Sequence, residues 1–392
     1  MFLHRPRRAL AITLIAFTAA TVAGAQAPAS SSPALPKVLI IATGGTIAGV
    51  QDAPGTLGGY RAGTLSAEQI TESVPELTRF AQIETEQFSN VASGFITPTM
   101  WVSLSKRINA ALARNDLAGV VVTHGTDRLE ETAFFLYLTV LSEKPVVVVG
   151  AQRPATGISP DGPINLLGAV RTAASPKAVN KGVMVVMDDR ILSARESRKL
   201  YQRTGGFSTG DMGMLGVVAS AGPEFFFQPA RRFGPRSEFD LSQTDTLPRV
   251  ELTFSYPGGT GHSFSPLPAG LVIATTGMTR EESEFYRDMR QQGVVMVTVF
   301  TSGENANGGG DRQLQASIAG AGGMGAGGGG GRPPGAAPAG APPGAGGPGG
   351  GGFRAPTATA LHLTPGKARI LLMLALTRTN DPRAIQRFYD EY

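Results

Sequence analysis

The sequence contains no cysteine, and this absence excludes several kinds of chemistry. Without thiols the chain has no disulfides and no thiolate nucleophile, and it cannot bind a metal through sulfur. Histidine is scarce as well: the four residues His4, His124, His262 and His362 lie far apart, without the spacing of metal ligands. The sequence therefore predicts no metal site.

Long apolar runs are also scarce, and the one near the start of the chain belongs to a leader pattern. Three arginines within the first eight residues precede an apolar stretch over residues 9–22, and small residues follow up to Ala27. This order is typical of a signal peptide, which we expect over residues 1–27 and which predicts export to the periplasm or the medium. The stretch falls short of the roughly 20 strongly apolar residues of a membrane span, so we expect no stable span.

An excess of basic charge is absent once the leader is set aside. Of the 35 lysines and arginines three lie in the leader, which holds none of the 30 acidic residues, so 32 basic residues remain against 30 acidic ones. Binding of nucleic acid through its phosphates requires a clustered basic face, which this near-balance does not suggest. We therefore expect no nucleic-acid partner.

What the chain does have is a series of short apolar runs that alternate with helical patterns. The runs cover residues 38–41, 119–123, 145–149 and 182–187, and the helical patterns cover residues 98–114 and 130–141. Apolar runs without polar alternation suit strands that are covered on both faces by helices, as in a parallel sheet. The predicted fold class is α/β.

The same patterns predict two domains joined by a linker. We expect a larger N-terminal parallel-sheet domain over residues 36–228, a linker rich in Pro, Arg and Ser over residues 229–248, and a smaller C-terminal α/β domain over residues 249–392. In the smaller domain, strands are expected over residues 250–254, 270–274 and 293–300, and helices over residues 280–291 and 365–376.

Residues 320–352 interrupt the smaller domain with a segment in which more than half the residues are glycine. Such a segment buries too little apolar surface to offset its ordering entropy, roughly 1–2 kcal/mol per residue for the backbone alone. We therefore expect a disordered surface insertion here.

The first candidate site is the loop ATGGTIAG over residues 42–49, in which paired glycines and Thr46 follow an apolar strand. Glycines allow a sharp turn close to a ligand, and amides at the start of a helix can hold an oxyanion. The Thr46 hydroxyl could then act as a nucleophile. A structural turn capped by Thr46 is the alternative, whereas the missing GxGxxG spacing argues against a dinucleotide.

The second candidate site is the segment VVVTHGTDRLEETA, with Thr126 and Asp127 before a helix that begins near Leu129. Capping of that helix would explain both residues. Alternatively, the carboxylate binds a substrate ammonium while a basic partner such as Lys199 activates the hydroxyl. The carboxyl ends of parallel strands form one crevice, so we expect both loops to face the same small substrate.

Four segments together resemble bacterial asparaginases, and with the leader they resemble the exported asparaginase and glutaminase-asparaginase branch. They are ATGGTIAG (42–49), VTHGTDRLEETAFFL (122–136), VVVGAQRPATGISPDGPINL (147–166) and GKARILLMLALTRTNDPRAIQRFYDEY (366–392). The resemblance covers nearly the whole chain after the leader, apart from the glycine-rich insertion. It implies hydrolysis of the side-chain amide of asparagine to aspartate and ammonia, without a metal or organic cofactor, by a homotetramer with sites between subunits.

This resemblance also implies the catalytic residues. Thr46 matches the nucleophile, and Tyr60 in GGYRAG matches the tyrosine that assists its proton transfer. Thr126 matches the threonine that positions water or assists acyl transfer, Lys199 supplies positive charge, and Asp127 binds the substrate ammonium.

At three places the chain departs from the family pattern. Ser93 matches a serine that contacts the substrate carboxylate, but Gly94 stands where a glutamine is usual, so we expect weaker substrate binding. Gly258 stands where an asparagine enters from the adjacent subunit. The acidic residue from that subunit has Glu304 and Asp311 as candidates.

The predicted function is hydrolysis of L-asparagine through a threonine nucleophile, with L-glutamine as a secondary substrate. The alternative is an exported amino-acid-binding protein that keeps the scaffold with little or no catalysis. Gly94 and Gly258 favour the alternative, whereas the retained residues Thr46, Thr126 and Lys199 argue against it.

Overall fold

An eight-stranded sheet forms the larger part of the structure, a computed structural model that describes residues 34–53, 59–301, 358–360 and 362–392. The described residues from Leu35 onward belong to one compact unit. The predicted signal peptide, the predicted glycine-rich insertion and the candidates Glu304 and Asp311 lie outside the described residues.

Five neighbouring strands of the large sheet are parallel. In spatial order they are β4 (Gln82–Val91), β1 (Lys37–Gly44), β5 (Leu117–Thr123), β6 (Val146–Val149) and β7 (Val183–Met187). The pairing sets Ala42 of β1 beside Thr123 of β5 and Gln87 of β4. The carboxyl ends of these three strands therefore lie at one level of the sheet.

Three antiparallel strands, which the apolar runs did not predict, extend this sheet beyond β7. They are β8 (Arg190–Ser193), β11 (Gly216–Ala219) and β12 (Gly222–Phe225). Asp188 and Asp189 join β7 to β8 with φ values of 54° and 60°. Two successive residues in the left-handed region form the tight hairpin that reverses the chain here.

Two short hairpins lie outside the large sheet. One pairs β2 (Val50–Gln51) with β3 (Tyr60–Arg61), and the other pairs β9 (Arg198–Lys199) with β10 (Phe207–Ser208). Each hairpin therefore carries one of the predicted site residues, Tyr60 or Lys199.

Four helices accompany the large sheet, so the predicted α/β class is confirmed. They are α1 (Ala67–Glu72), α2 (Pro98–Leu112), α3 (Leu129–Thr139) and α4 (Gly162–Ala173). The two predicted helices, over residues 98–114 and 130–141, correspond to α2 and α3 with shifts of one or two residues at their ends. Within the described ranges, none of the helices is both long and apolar enough to cross a membrane.

In the part of the chain that the structure describes, the smaller C-terminal sheet has four parallel strands. In order they are β13 (Val250–Phe254), β14 (Gly270–Ala274), β15 (Val295–Val299) and β16 (Ala358–Ala360), accompanied by α5 (Arg280–Gln291), α6 (Pro365–Ala375) and α7 (Pro382–Glu391). Helix α6 packs against α3 of the large domain. One continuous apolar core therefore includes residues of both sheets, such as Val121 and Val272.

The segment proposed as a linker, residues 229–248, contains a single turn of 3₁₀ helix at Gly234–Arg236 as its regular structure. It nevertheless packs closely: the ring of Phe239 lies 5.1 Å from that of Phe388 and 5.0 Å from that of Tyr392, measured between centroids. The connection between the two sheets is therefore anchored in the core beside α7.

A buried histidine holds the turn at the end of β5. His124 is fully buried, and its Nδ1 lies 2.8 Å from the carbonyl oxygen of Gly125, which can only accept a hydrogen bond, so Nδ1 carries the N–H. Nε2 is then the acceptor for the hydroxyl of Thr132 at 2.9 Å, and Trp101 donates its ring N–H to that hydroxyl at 2.8 Å. This chain of three hydrogen bonds requires a neutral imidazole.

Burial lowers the pKa of His124 from 6.5 to about 4. Between these two pH values the unfolded chain binds a proton that the folded protein does not, so stability falls as the pH drops from 6.5 towards 4. The free energy of unfolding therefore decreases by roughly 3 kcal/mol over this pH range. We predict that His124→Gln removes this part of the pH dependence of the free energy of unfolding, measured by urea denaturation at pH 7 and pH 4.

The exposed His262 provides the matched control. His262→Gln is expected to keep the pH dependence of the parent protein. A His124→Gln variant with the same loss of stability between pH 7 and pH 4 as the parent would contradict the prediction.

Candidate active site

The first threonine loop begins where β1 runs into Gly44 and Gly45. Gly45 has a φ of +85°, and a β-carbon added to it would lie 2.3 Å from the Cα of Gly125. Only glycine fits this conformation and this approach. The turn leads directly into a short 3₁₀ helix, Thr46–Ala48, which places Thr46 at its first position.

The Thr46 hydroxyl pairs with a tyrosine rather than with the backbone of its own helix. Its oxygen lies 2.7 Å from the phenolic oxygen of Tyr60, and no side chain caps the 3₁₀ helix. Thr46 is 5% exposed, whereas Tyr60 is 40% exposed. The alternative of a purely structural cap at Thr46 therefore finds no support in this geometry.

The hairpin of β2 and β3 holds Tyr60 over the first loop. A β-carbon added at Gly49 would lie 2.8 Å from the Cδ2 of Tyr60, so the ring packs directly on that glycine. The amide of Gln51 donates to the hydroxyl of Thr156 at 2.8 Å, which ties the hairpin to the loop after β6. Thr156 lies within VVVGAQRPATGISPDGPINL, and its contact was not foreseen because its partner is 105 residues away.

The second threonine loop follows β5 and presents Thr126 and Asp127 to a lysine. Lys199 donates from Nζ to Thr126 Oγ1 at 2.8 Å and to Asp127 Oδ1 at 2.6 Å. Helix α3 has Arg128 at its N-cap and no capping side chain. Capping therefore does not account for Thr126 or Asp127, which the structure brings together with Lys199.

Burial differs sharply within this group. Thr126 is 5% exposed and the Lys199 side chain 12%, but the Asp127 side chain is 67% exposed. The ammonium is thus largely shielded from water, whereas the carboxylate remains open to an incoming ligand. Such an ammonium can stabilise developing negative charge on the Thr126 oxygen.

Glu130, which sequence reasoning did not single out, fixes the main chain at Lys199. Its Oε2 accepts a hydrogen bond from the Lys199 amide at 2.6 Å. Glu130 lies in the first turn of α3, where an acidic residue also suits the helix dipole. That ordinary role gave no signal of a contact with a residue 69 positions away.

The turn after β4 brings Ser93 to the same place. A β-carbon added at Gly125 would lie 2.9 Å from the Ser93 hydroxyl and 3.1 Å from the Cα of Gly45. The Ser93 hydroxyl also accepts a hydrogen bond from the amide of Arg128 at 3.3 Å. Three turns, from the adjacent strands β4, β1 and β5, therefore meet at this point.

The two glycines that the sequence analysis predicted as departures, Gly94 and Gly258, both have open space at the β-carbon position. A β-carbon added at Gly94 or at Gly258 would meet no atom of the described residues within 4 Å. Gly94 directly follows Ser93 and so lies beside the meeting point, whereas Gly258 lies in the turn after β13. Among the described residues, no hydrogen bond connects Gly258 to either threonine loop.

Comparison with known proteins shows the family to which this chain belongs. Residues 37–231 match the family model described as asparaginase, N-terminal. The chain is 36% identical to the L-asparaginase 2 of Bacillus subtilis (strain 168) over 381 residues, with 94% of this chain and 89% of that protein covered. It is 34% identical to the glutaminase-asparaginase of Pseudomonas fluorescens biotype A, with 91% of each chain covered.

A solved structure agrees with these sequence matches. The crystal structure of a probable cytoplasmic L-asparaginase from Campylobacter jejuni superposes with a TM-score of 0.76 at 33% identity, with 91% of this chain and 100% of that chain covered. Similarity in sequence and in fold extends over both sheets. The chain therefore belongs to the asparaginase family of amidohydrolases.

Proposed function

We propose that this protein hydrolyses the side-chain amide of L-asparagine to L-aspartate and ammonia through a covalent intermediate on Thr46. The observation that carries the proposal is the pair of buried threonine hydroxyls at the ends of the adjacent strands β1 and β5. Each has a different partner: Tyr60 for Thr46 and Lys199 for Thr126. Two hydroxyls with unlike partners suit a reaction in two steps.

In the first step, Thr46 Oγ attacks the amide carbon and the C–N bond breaks. The hydroxyl proton passes by way of Tyr60, 2.7 Å away, to the leaving nitrogen, which departs as ammonia. An acyl ester on Thr46 remains. Because Tyr60 both accepts and returns a proton, its own charge is unchanged at the end of the step.

In the second step, water attacks the ester carbon and the Thr46 oxygen leaves with a proton. Thr126 is proposed to orient this water and to pass its proton on, a role that its 2.8 Å hydrogen bond to Lys199 supports. The Lys199 ammonium stabilises negative charge that develops on the way. Aspartate is released and the Thr46 hydroxyl is restored.

Asp127 is proposed to bind the α-ammonium of the substrate. Its carboxylate already pairs with Lys199 at 2.6 Å and is largely exposed, so it can accept a second cation from solvent. Ser93, buried beside Gly125, is proposed to contact the substrate carboxylate. L-Glutamine is proposed as a secondary substrate, because one methylene is discriminated by only about 1–3 kcal/mol.

Assembly and location are also proposals. We infer a homotetramer with sites between subunits. Light scattering of the purified protein tests the number of subunits.

Export is inferred from the leader pattern over residues 1–27. We expect to recover the protein from the periplasm or the medium. N-terminal sequencing should show that the leader has been removed at or near Ala27.

The nucleophile test compares three threonine variants. We predict that Thr46→Ala lowers kcat for ammonia release from asparagine by about 10³-fold or more, because the attacking oxygen is lost. Thr126→Ala is expected to lower it by about 10²–10⁴-fold. Thr172→Ala serves as the control, since this buried threonine near the end of α4 only donates to Gly168 O.

All three variants are expected to keep the circular dichroism spectrum of the parent. Parent-like turnover in Thr46→Ala would overturn the proposed mechanism. Saturable binding of asparagine by the unmodified protein without ammonia release would instead select the amino-acid-binding alternative.

The recognition test concerns Gly94. We predict that Gly94→Gln lowers the KM for asparagine by about one to two decades, because an amide could donate a hydrogen bond worth roughly 1.5–3 kcal/mol to the charged substrate carboxylate. An added β-carbon at Gly94 meets no atom of the described residues within 4 Å, so the first side-chain atom fits there. Gly94→Ala, which fills the same space without a donor, should leave KM unchanged; an equal effect of both variants would contradict the prediction.

A further inference from the structure

Among the residues that the structure describes, one buried lysine of the smaller domain has no carboxylate within ion-pair distance. Lys367 lies in the first turn of α6 and is 1% exposed. Its Nζ donates to three main-chain carbonyl oxygens, those of Ala194 at 3.1 Å, Arg195 at 2.8 Å and Ser197 at 2.5 Å. A buried ammonium is costly unless it is fully hydrogen-bonded, and here each of its three protons has an acceptor.

These three carbonyls belong to the turn that leads from β8 to Lys199. The turn is closed by its own hydrogen bonds from the amides of Glu196 and Ser197 to the carbonyl of Ser193. Two residues after Ser197 the chain reaches Lys199, whose side chain contacts Thr126 and Asp127. The position of the Lys199 backbone thus follows from the position of this turn.

Helix α6 also contacts the other support of Lys199. The hydroxyl of Thr364, at the N-cap of α6, donates to Glu130 Oε1 at 3.4 Å, while Glu130 Oε2 accepts from the Lys199 amide. The start of one helix therefore contacts the residues that hold Lys199 on both sides. Burial lowers the pKa of Lys367 to about 8, so its ammonium form remains the main donor at neutral pH.

We propose that Lys367 is a positioning residue for Lys199: by holding the carbonyls of Ala194, Arg195 and Ser197, it sets where the Lys199 ammonium stands relative to Thr126. The active site of the large domain then depends on a side chain from the smaller one. This inference rests on the proposed function, in which Lys199 supports the chemistry at Thr126.

The chain offers a close match for a lysine with a purely structural role. Lys181 is 8% exposed, donates to one main-chain carbonyl, that of Phe227 at 3.2 Å, and lies 5.0 Å from the ring centroid of Phe225. Lys367 lies 5.7 Å from the ring centroid of Phe134. Burial lowers the pKa of both lysines. The two differ in the number of carbonyls that they hold, one against three, and in what those carbonyls support.

The experiment compares Lys367→Met with Lys181→Met in the full-length processed protein, at a temperature well below the unfolding midpoint of each. Because a misplacement of about 1 Å can cost up to 10²-fold in rate, we expect kcat for asparagine to fall about 10–100-fold in Lys367→Met. KM should change by less than about threefold, since Asp127 and Ser93 still bind the substrate. Lys181→Met should keep the parent kcat even where its melting temperature falls.

A double variant separates positioning from general loss of packing. If Lys367 acts through Lys199, adding Lys367→Met to Lys199→Met should lower kcat by no more than about twofold further. A further loss as large as in the single variant would overturn the inference, as would an equal kcat loss in Lys181→Met. Should Lys367→Met fail to fold, Lys367→Gln, which keeps an N–H donor group, takes its place with a smaller expected loss.

The single variants show whether the proposed function fails or whether the positioning role of Lys367 fails alone. Parent-like kcat in Lys199→Met would refute the role of Lys199 in the proposed function. A strong loss in Lys199→Met together with parent-like kcat in folded Lys367→Met would leave the proposed function standing and overturn the positioning role alone.

Discussion

The contact between three main-chain turns at Gly45, Ser93 and Gly125 is the constraint on which the site depends. The turns leave the adjacent parallel strands β1, β4 and β5. Neither glycine has room for a β-carbon, so the backbones of the two threonine loops touch. Thr46 and Thr126 each follow one of these glycines directly, so the register of the sheet determines how far apart the two hydroxyls lie.

The partners of the two hydroxyls differ in how far along the chain they come from. Tyr60 is 14 residues from Thr46 and lies on the next hairpin, whereas Lys199 is 73 residues from Thr126. A distant partner needs its own supports, here Glu130 and the turn held by Lys367. The second pair therefore depends on the contact between α3 and α6, which the continuous core of the two domains stabilises.

Local patterns in the sequence correctly predicted those structural features that local interactions determine. The bounds of α5 coincide with the prediction, and its start is fixed by a capping box of Thr279 and Glu282. Both threonine loops were placed correctly after buried strands, because glycines interrupt the apolar runs there. The main support for Lys199 as a site residue came from the family resemblance, since a lone lysine in a polar segment has no local sequence pattern that marks it as catalytic. The four-residue strand β8 escaped prediction because the Asp188–Asp189 turn before it lacks the glycine that marks most tight hairpins.

Burial divides the site into a shielded interior and an open rim. Thr46, Thr126 and the Lys199 side chain are largely removed from water, while Asp127 is exposed and Gly94 faces empty space. Groups that interact with charge formed during the reaction act most strongly where water is excluded, whereas groups that recognise the substrate must be reached from solvent. Gly94 belongs to this rim, so the effect proposed for it is on substrate affinity and not on the position of the hydroxyls. Among the described residues, neither Gly94 nor Gly258 forms a hydrogen bond with the Thr46 or the Thr126 hydroxyl, whose partners are Tyr60 and Lys199. This supports a proposed effect of these two positions on substrate binding rather than on the type of reaction.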